Sequence, residues 1–102
     1  MAGLYDEHWD SQKQKDFVES GLKDPATQDF KPVTSMPVGK VTGEKLNDLG
    51  FVYAYQLIGQ YMMNSMDDEA TDHWLENEAG VKRKDLRATL VATMRKWCER
   101  HL

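Results

Sequence analysis

Residues 36–46 read MPVGKVTGEKL, a tight turn with a glycine at the mouth of a helix. Apolar residues stand on both sides of the turn, and a basic residue follows one or two helical turns later, a pattern typical of a helix-hairpin-helix element. Gly39 would let the backbone approach an anion such as a phosphate closely, and the free N–H groups of the next turn would point at it. Because glycine is common at helix starts, a simple helix N-cap is the alternative interpretation.

The chain before this turn predicts a short helix and then an irregular loop. SQKQ at residues 11–14 is a capping box, with serine at the N-cap and glutamine three positions later. The helix that it opens would turn Phe17 and Val18 inward. Residues 21–37 contain Gly21 and all three prolines of the chain, so we expect no regular structure there.

The turn itself opens a helix that ends at Leu49, since Gly50 suits the left-handed residue that stops a helix. A further helix over about 52–64 follows, because its apolar residues recur at helical spacing. Those positions are Ala54, Leu57, Ile58, Tyr61 and Met62.

The C-terminal third predicts two more helices. An acidic helix capped by Ser65 or Asp67 closes at Gly80, and its acidic first turn suits the helix dipole. The last helix starts near Lys84 or Asp85 and carries one continuous apolar stripe. The stripe consists of Leu86, Leu90, Met94, Trp97 and His101. With no strand-like alternation of useful length, the predicted fold class is all-α, a compact bundle of about five short helices.

Composition limits the chain to one small domain. It has 102 residues and 11.8 kDa, is 40% hydrophobic and 29% charged, and has no apolar run of the roughly 20 residues that a bilayer span needs. We expect a flexible tail over 1–10, whose acidic character argues against a secretory leader, and a helical domain over 11–102. The single cysteine, Cys98, fits a reducing compartment. A core this small makes burial against a second subunit plausible.

Charge is distributed unevenly along the chain, whose formal net charge is -4. Residues 67–78 hold six carboxylates and no Lys or Arg, whereas residues 82–100 hold seven Lys or Arg against two carboxylates. Two solvated helix faces of opposite sign are one interpretation. The other is that the cluster over 82–87 (Lys82, Arg83, Lys84 and Arg87) meets a polyanion while the acidic stretch points elsewhere.

The sequence argues against catalysis, and we predict no cofactor and no metal. His8, His73 and His101 lie far apart, with no Cys or carboxylate at a spacing that would assemble a zinc site. Cys98 has no obvious histidine base, so a buried structural thiol is expected in place of a nucleophile. There is also no glycine-rich nucleotide loop.

Ordered motifs over residues 11–102 resemble the barrier-to-autointegration factor family. They are SQKxKDFV from Ser11, GxVxGxKL from Gly39, GFxxAY from Gly50, GQY from Gly59, Trp74-Leu75, Gly80 and the terminal WCxxxL from Trp97. The resemblance implies a SAM-like, all-α homodimer with one helix-hairpin-helix element per subunit. It further implies a nuclear protein that bridges two DNA duplexes without sequence preference. A groove at the dimer interface of that family receives LEM-domain proteins of the inner nuclear membrane.

The resemblance also assigns expected roles to residues. The expected DNA contacts are Gln12, Lys13, Val38, Gly39, Val41, Lys45 and, in an uncertain register, Lys84. Ser11 matches a serine that vaccinia-related kinases phosphorylate, and a phosphate there would repel DNA electrostatically. The expected dimer interface comprises Gly59, Met62, Met63, Trp97 and His101. The expected partner groove comprises Met62, Met63, Met66 and Ala70, where the family has large aliphatic residues and a lysine pair.

Departures from the family pattern keep two functions open. Pro37-Val38-Gly39 replaces a Gly-Ile-Gly turn, so one amide donor is lost, and Glu44 replaces a basic residue. Lys82 and its basic neighbours add charge that the family usually lacks. The first hypothesis is a nuclear homodimer that binds double-stranded DNA and associates with chromatin and the nuclear envelope. The second is a protein-interaction adaptor with weakened DNA binding, able to pair with a conventional family member. Neither requires membrane insertion.

Overall fold

Five α-helices and one 3₁₀ turn make up the computed structural model, which describes residues 12–102. The helices are α1 (Gln12–Glu19), α2 (Gly39–Asp48), α3 (Ala54–Met63), α4 (Asp68–Asn77) and α5 (Lys84–His101), and the 3₁₀ turn spans Val33–Ser35. β-Pairing in this part of the chain is limited to two isolated bridges, so the predicted all-α class is confirmed. The tail over 1–10 and the predicted N-cap Ser11 lie outside the described residues.

Helix α5 forms the centre of the core. Its residues Leu90, Val91 and Met94 are fully buried. Helix α1 packs along it, and Gln14, buried beside Phe17, donates from Nε2 to Thr93 Oγ1 at 2.9 Å. A buried amide with a hydroxyl partner fixes how the two helices are aligned, because an unpaired amide there would be costly.

The loop before α2 packs tightly against that helix. Val33 and Met36 are completely buried, and a Cβ added to Gly43 would lie only 3.0 Å from Thr34 Cγ2. Gly43 therefore lets the 3₁₀ turn approach α2 closely. At the start of α2, Gly39 has φ +74°, a conformation that suits glycine and forces the sharp turn into the helix.

Helices α4 and α5 are joined by ion pairs. Arg87 Nε lies 2.8 Å from Asp72 Oδ1, and Arg95 Nη1 lies 2.7 Å from Asp68 Oδ2. The acidic and basic segments are therefore partly paired with one another, which neither sequence interpretation of their charge anticipated.

The local signals predicted to end α2 and to start α4 are confirmed. The helix stop at Gly50 (φ +97°) and the Asp67 cap, whose side chain accepts from Ala70 N at 2.9 Å, are as predicted. Met62, one of the apolar residues at helical spacing on α3, is exposed, whereas Ala54, Leu57, Ile58 and Tyr61 are buried. His101 is also exposed, although its Nε2 lies 2.8 Å from Val18 O.

Candidate functional site

A cleft of about 400 Å³ lies between the start of α2 and the loop that joins α4 to α5. It brings together two segments that are about 40 residues apart in sequence. Its lining residues are Val38, Gly39, Lys40, Val41, Thr42 and Lys45 from the α2 side, and Val81, Lys82, Arg83 and Leu86 from the loop and α5.

The backbone at the cleft mouth is set by Pro37 and Gly39. Val38 N donates to Met36 O at 2.8 Å, which closes a three-residue turn around Pro37, and the fixed φ of proline suits that turn. Val38 stands at the N-cap of α2 and offers no side-chain acceptor to the first-turn N–H groups. Those donors are therefore open to an acceptor from outside the chain.

The cleft is positively charged in a chain that is negative overall. The described residues that line it include four cations (Lys40, Lys45, Lys82 and Arg83) and no carboxylate. Lys45 Nζ donates to Gly80 O at 3.2 Å, which ties α2 to the opposite wall. Arg83 pairs with Asp85 at 2.7 Å, and that pair holds the pKa of the Asp85 carboxyl below its usual range.

One member of the predicted basic cluster is structural. Arg87 is buried, and its guanidinium donates to Asp72 Oδ1 (2.8 Å), Val81 O (3.1 Å) and Lys82 O (2.9 Å). Arg87 therefore cannot meet a polyanion directly, which corrects the sequence expectation for the cluster over 82–87.

The predicted contact residues are only partly brought together. Val38, Gly39, Val41 and Lys45 line the cleft, and Val41 is 67% exposed although it is apolar. Lys84 is exposed at the first position of α5, and Gln12 is exposed at the start of α1, but neither is among the lining residues. The Lys13 side chain and Ser11 lie outside what the structure describes. Lys40 and Thr42 line the cleft but were not among the predicted contacts, although their positions in the first turn after Gly39 could have indicated them.

Comparison with known proteins identifies the family. The family model described as "Barrier to autointegration factor" matches residues 8–101. The chain belongs to the barrier-to-autointegration factor family. It is 33% identical to the human barrier-to-autointegration factor over 93 residues, which cover 90% of this chain and 97% of that protein. The zebrafish protein of the same name (Danio rerio) and barrier-to-autointegration factor 1 of Caenorhabditis elegans are each 31% identical over 93 residues, covering 90% of this chain and 96% and 97% of theirs.

A second surface of this family member is apolar and exposed. It lies where α3 ends, and its exposed residues are Met62, Met63, Met66 and Leu102, with Met63 80% exposed. A cavity of about 510 Å³ beside it is lined by Tyr61, Met66, Arg95, Cys98, Glu99 and Leu102. Burial and a hydrogen bond to Asp68 raise the pKa of Tyr61 well above its usual value, so its hydroxyl stays protonated and donates to that carboxylate at 2.8 Å.

The residues expected at the family's dimer interface and groove differ in exposure. Trp97 is only 6% exposed, since its ring packs on His101 and its Nε1 donates to Ser20 O at 3.2 Å. Ala70 is exposed on α4. A Cβ added to Gly59 would meet nothing within 4 Å among the described residues. No packing within this part of the subunit therefore requires glycine at this position.

The described residues offer no obvious chemistry to a substrate or metal. Cys98 is buried, and burial raises the pKa of its thiol, which makes it a poor nucleophile. Within residues 12–102 no three His, Cys, Asp or Glu side chains form a group that could hold a metal ion. In the same part of the chain, the length and apolarity that a membrane crossing demands are not combined in any helix.

Proposed function

We propose that this protein binds double-stranded DNA through the phosphate backbone, without sequence preference. The observation that carries the proposal is the cleft, in which four cations and the open N–H groups of α2 converge, with no carboxylate among the described lining residues. Oriented amides and cations together hold a phosphate, as at other helix N-termini. Membership of the barrier-to-autointegration factor family supports the same interpretation.

The geometry favours contact with the backbone over base readout. The cleft presents the start of α2 and the loop before α5, and Leu86 is the one α5 residue among its described lining residues. Phosphate contacts position a protein on a duplex but carry no sequence information. Glu44, the family departure expected to repel phosphate, is exposed on α2 but does not line the cleft.

Bridging of two duplexes requires two clefts, so the proposal includes a homodimer formed through α3. Gly59 supports it, because a mid-helix glycine costs about 1 kcal/mol relative to alanine and nothing in the described part of the subunit explains it. A nuclear location at chromatin and the nuclear envelope, release of DNA by a phosphate on Ser11, and contact with LEM-domain proteins belong to the same proposal.

Salt-dependent binding to a random-sequence duplex tests the proposal. The wild-type protein should shift the duplex at low salt and lose affinity steeply between about 50 and 200 mM salt. Replacing both Lys82 and Arg83 by alanine should weaken binding and flatten the slope of log affinity against log salt by about 1.8, since each phosphate contact contributes roughly 0.9.

The matched control is Lys84→Ala, which removes a neighbouring cation that does not line the cleft. It should reduce the slope by much less than the double variant. A wild-type protein that fails to shift DNA at low salt would refute the DNA-binding proposal. If the double variant binds DNA like wild type, the DNA contact must lie outside the cleft.

A protein-interaction adaptor is the second candidate, and the exposed methionines at the end of α3 favour it. Flexible, polarizable methionine side chains make adaptable binding surfaces. On this hypothesis the dimer fold, including a mixed dimer with a conventional family member, is kept while DNA binding is lost. Pro37→Gly combined with Glu44→Lys distinguishes the two: DNA binding that appears only in this variant favours the adaptor.

A further inference from the structure

We propose that Arg87 is a positioning residue for the cleft, holding the loop between α4 and α5 so that Lys82 and Arg83 face the start of α2. This inference rests on the proposed DNA-binding function, because it assigns a second role to that same site. Arg87 lines no part of the cleft. It acts through the backbone of the residues that do.

The contacts of Arg87 converge on the loop. Its Nη1 donates to two carbonyls, Val81 O at 3.1 Å and Lys82 O at 2.9 Å, immediately before Arg83. One guanidinium thus fixes the two peptide units from which the Lys82 and Arg83 side chains leave. Nη1 carries two N–H groups, which serve the two carbonyls, and the guanidinium still offers Nε–H to Asp72 on α4.

Arg87 is itself fixed from α4. Its Nε donates to Asp72 Oδ1 at 2.8 Å, Glu76 Oε2 lies 3.8 Å from Nη1, and its side chain is only 7% exposed. The residue therefore connects three elements: the acidic face of α4, the first turn of α5 and the loop. Lys45 braces the same loop from α2 through Gly80 O.

The rigidity of the loop matters because its two cations are held only by contacts at the surface, Lys82 Nζ by Glu76 O at 3.0 Å and Arg83 by Asp85. Lys82 and Arg83 are exposed, and their long side chains lose rotamer freedom on meeting a phosphate. If the peptide units that carry these side chains also had to become ordered, the entropy lost by the backbone would weaken each binding event further. A loop fixed in advance by Arg87 avoids the additional cost.

The chain supplies a matched control in Arg95. Arg95 also joins α5 to α4, with Nη1 2.7 Å from Asp68 Oδ2, and it does not line the cleft. Asp72 and Asp68 have side chains that are each 20% exposed, and Asp68 keeps the hydrogen bond from Tyr61 when Arg95 is removed. Arg87 differs from Arg95 in its two hydrogen bonds to the carbonyls of Val81 and Lys82.

The experiment compares Arg87→Met with Arg95→Met. Affinity for a random-sequence duplex and its salt dependence would be measured by fluorescence anisotropy well below the melting temperature of each variant. Both should melt at lower temperature than wild type. Arg87→Met should bind about tenfold more weakly with a shallower salt slope, since each phosphate contact contributes roughly 0.9 to that slope, whereas Arg95→Met should bind like wild type.

Hydrogen exchange of residues 80–84 gives a readout that does not depend on DNA. Arg87→Met should exchange these amides faster, and Arg95→Met should not. Unchanged exchange there, or equal losses of affinity in both variants, would overturn the positioning role. A wild-type protein that binds no DNA would refute the proposed function, while the exchange measurement would still decide the role of Arg87. If Arg87→Met does not fold, Arg87→Lys, which keeps the charge but not the array of donors, should show smaller changes in the same direction.

Discussion

At Pro37 and Gly39 the conformation of the backbone matters more than the side chain. Proline closes the turn between Met36 and Val38, and glycine adopts φ +74° at the first position of α2. The missing N–H of Pro37 removes one donor from the family pattern, but the open N–H groups after Gly39 remain. The loss is therefore local to the rim of the cleft.

Two substitutions at Gly39 should distinguish the effect of backbone strain from the effect of an added negative charge on DNA binding. A Cβ there meets nothing within 4 Å among the described residues, so Gly39→Ala should fold, with a stability loss of about 1 kcal/mol from the left-handed conformation. Gly39→Glu adds a carboxylate at the cleft and should abolish DNA binding, measured by gel shift.

Gly50→Glu is the matched control for that experiment. Gly50 also has positive φ (+97°) and open space where a Cβ would stand, but it follows the opposite end of α2, about 15 Å away. Gly50→Glu should therefore cost comparable stability and leave DNA binding largely intact. Equal loss of binding in both variants would mean that strain or net charge, and not the cleft, controls affinity.

Helix α4 owes its start to its local sequence. Its first turn carries Asp68 and Glu69, which interact favourably with the helix dipole, and Asp67 supplies the cap. Asp68 also accepts hydrogen bonds from Tyr61 and Arg95, so the first turn of α4 is tied to α3 and α5.

Removal of this cap should destabilise the protein without altering the cleft. Asp67→Ala should lower the free energy of unfolding by about 1 kcal/mol, since Ala70 N loses its acceptor. Chemical denaturation followed by circular dichroism measures the change. Asp67→Asn keeps a hydrogen-bond acceptor for Ala70 N, so its free energy of unfolding should fall much less. An alanine variant as stable as wild type would show that the hydrogen bond contributes nothing net.

On the scale of the whole molecule, the positively charged cleft and the exposed apolar surface use different elements. The cleft is formed by α2 and the loop after α4, whereas the exposed methionines lie in the last turn of α3 and just after it. A chain this small buries a limited core, so an additional apolar interface would add to its stability. On the proposed function, two surfaces built from different elements would let one subunit bind DNA and a second chain at the same time.

The proposed dimer can be tested at Gly59. Gly59→Glu places a charge at the proposed contact, and because a side chain there meets open space in the described part of the subunit, the variant should fold. We expect a monomer by light scattering. Gly21→Glu, at a second open and exposed glycine, is the control and should remain dimeric. If Gly59→Glu is a clean dimer, this face of α3 is not part of the dimer interface.

The sequence by itself determined the helices, because the signals that start and stop them are local. Gly39, Gly50 and Asp67 act on their own and adjacent residues, so their roles follow from sequence alone. The same local logic found Val38, Gly39, Val41 and Lys45 in the α2 half of the cleft, but not Lys40 and Thr42. Buried positions such as Leu57 and Tyr61 followed from helical periodicity.

Only the tertiary structure decided which charged side chains face the cleft and which are buried in ion pairs inside the protein. Arg87 and Lys82 look alike in sequence, yet Arg87 is buried against Asp72 and Lys82 is exposed. That difference depends on how α4 packs against α5, which no pattern within either helix records. Lys45 meets Gly80, 35 residues away, for the same reason: the partner of a long side chain is set by packing between elements and not by sequence proximity.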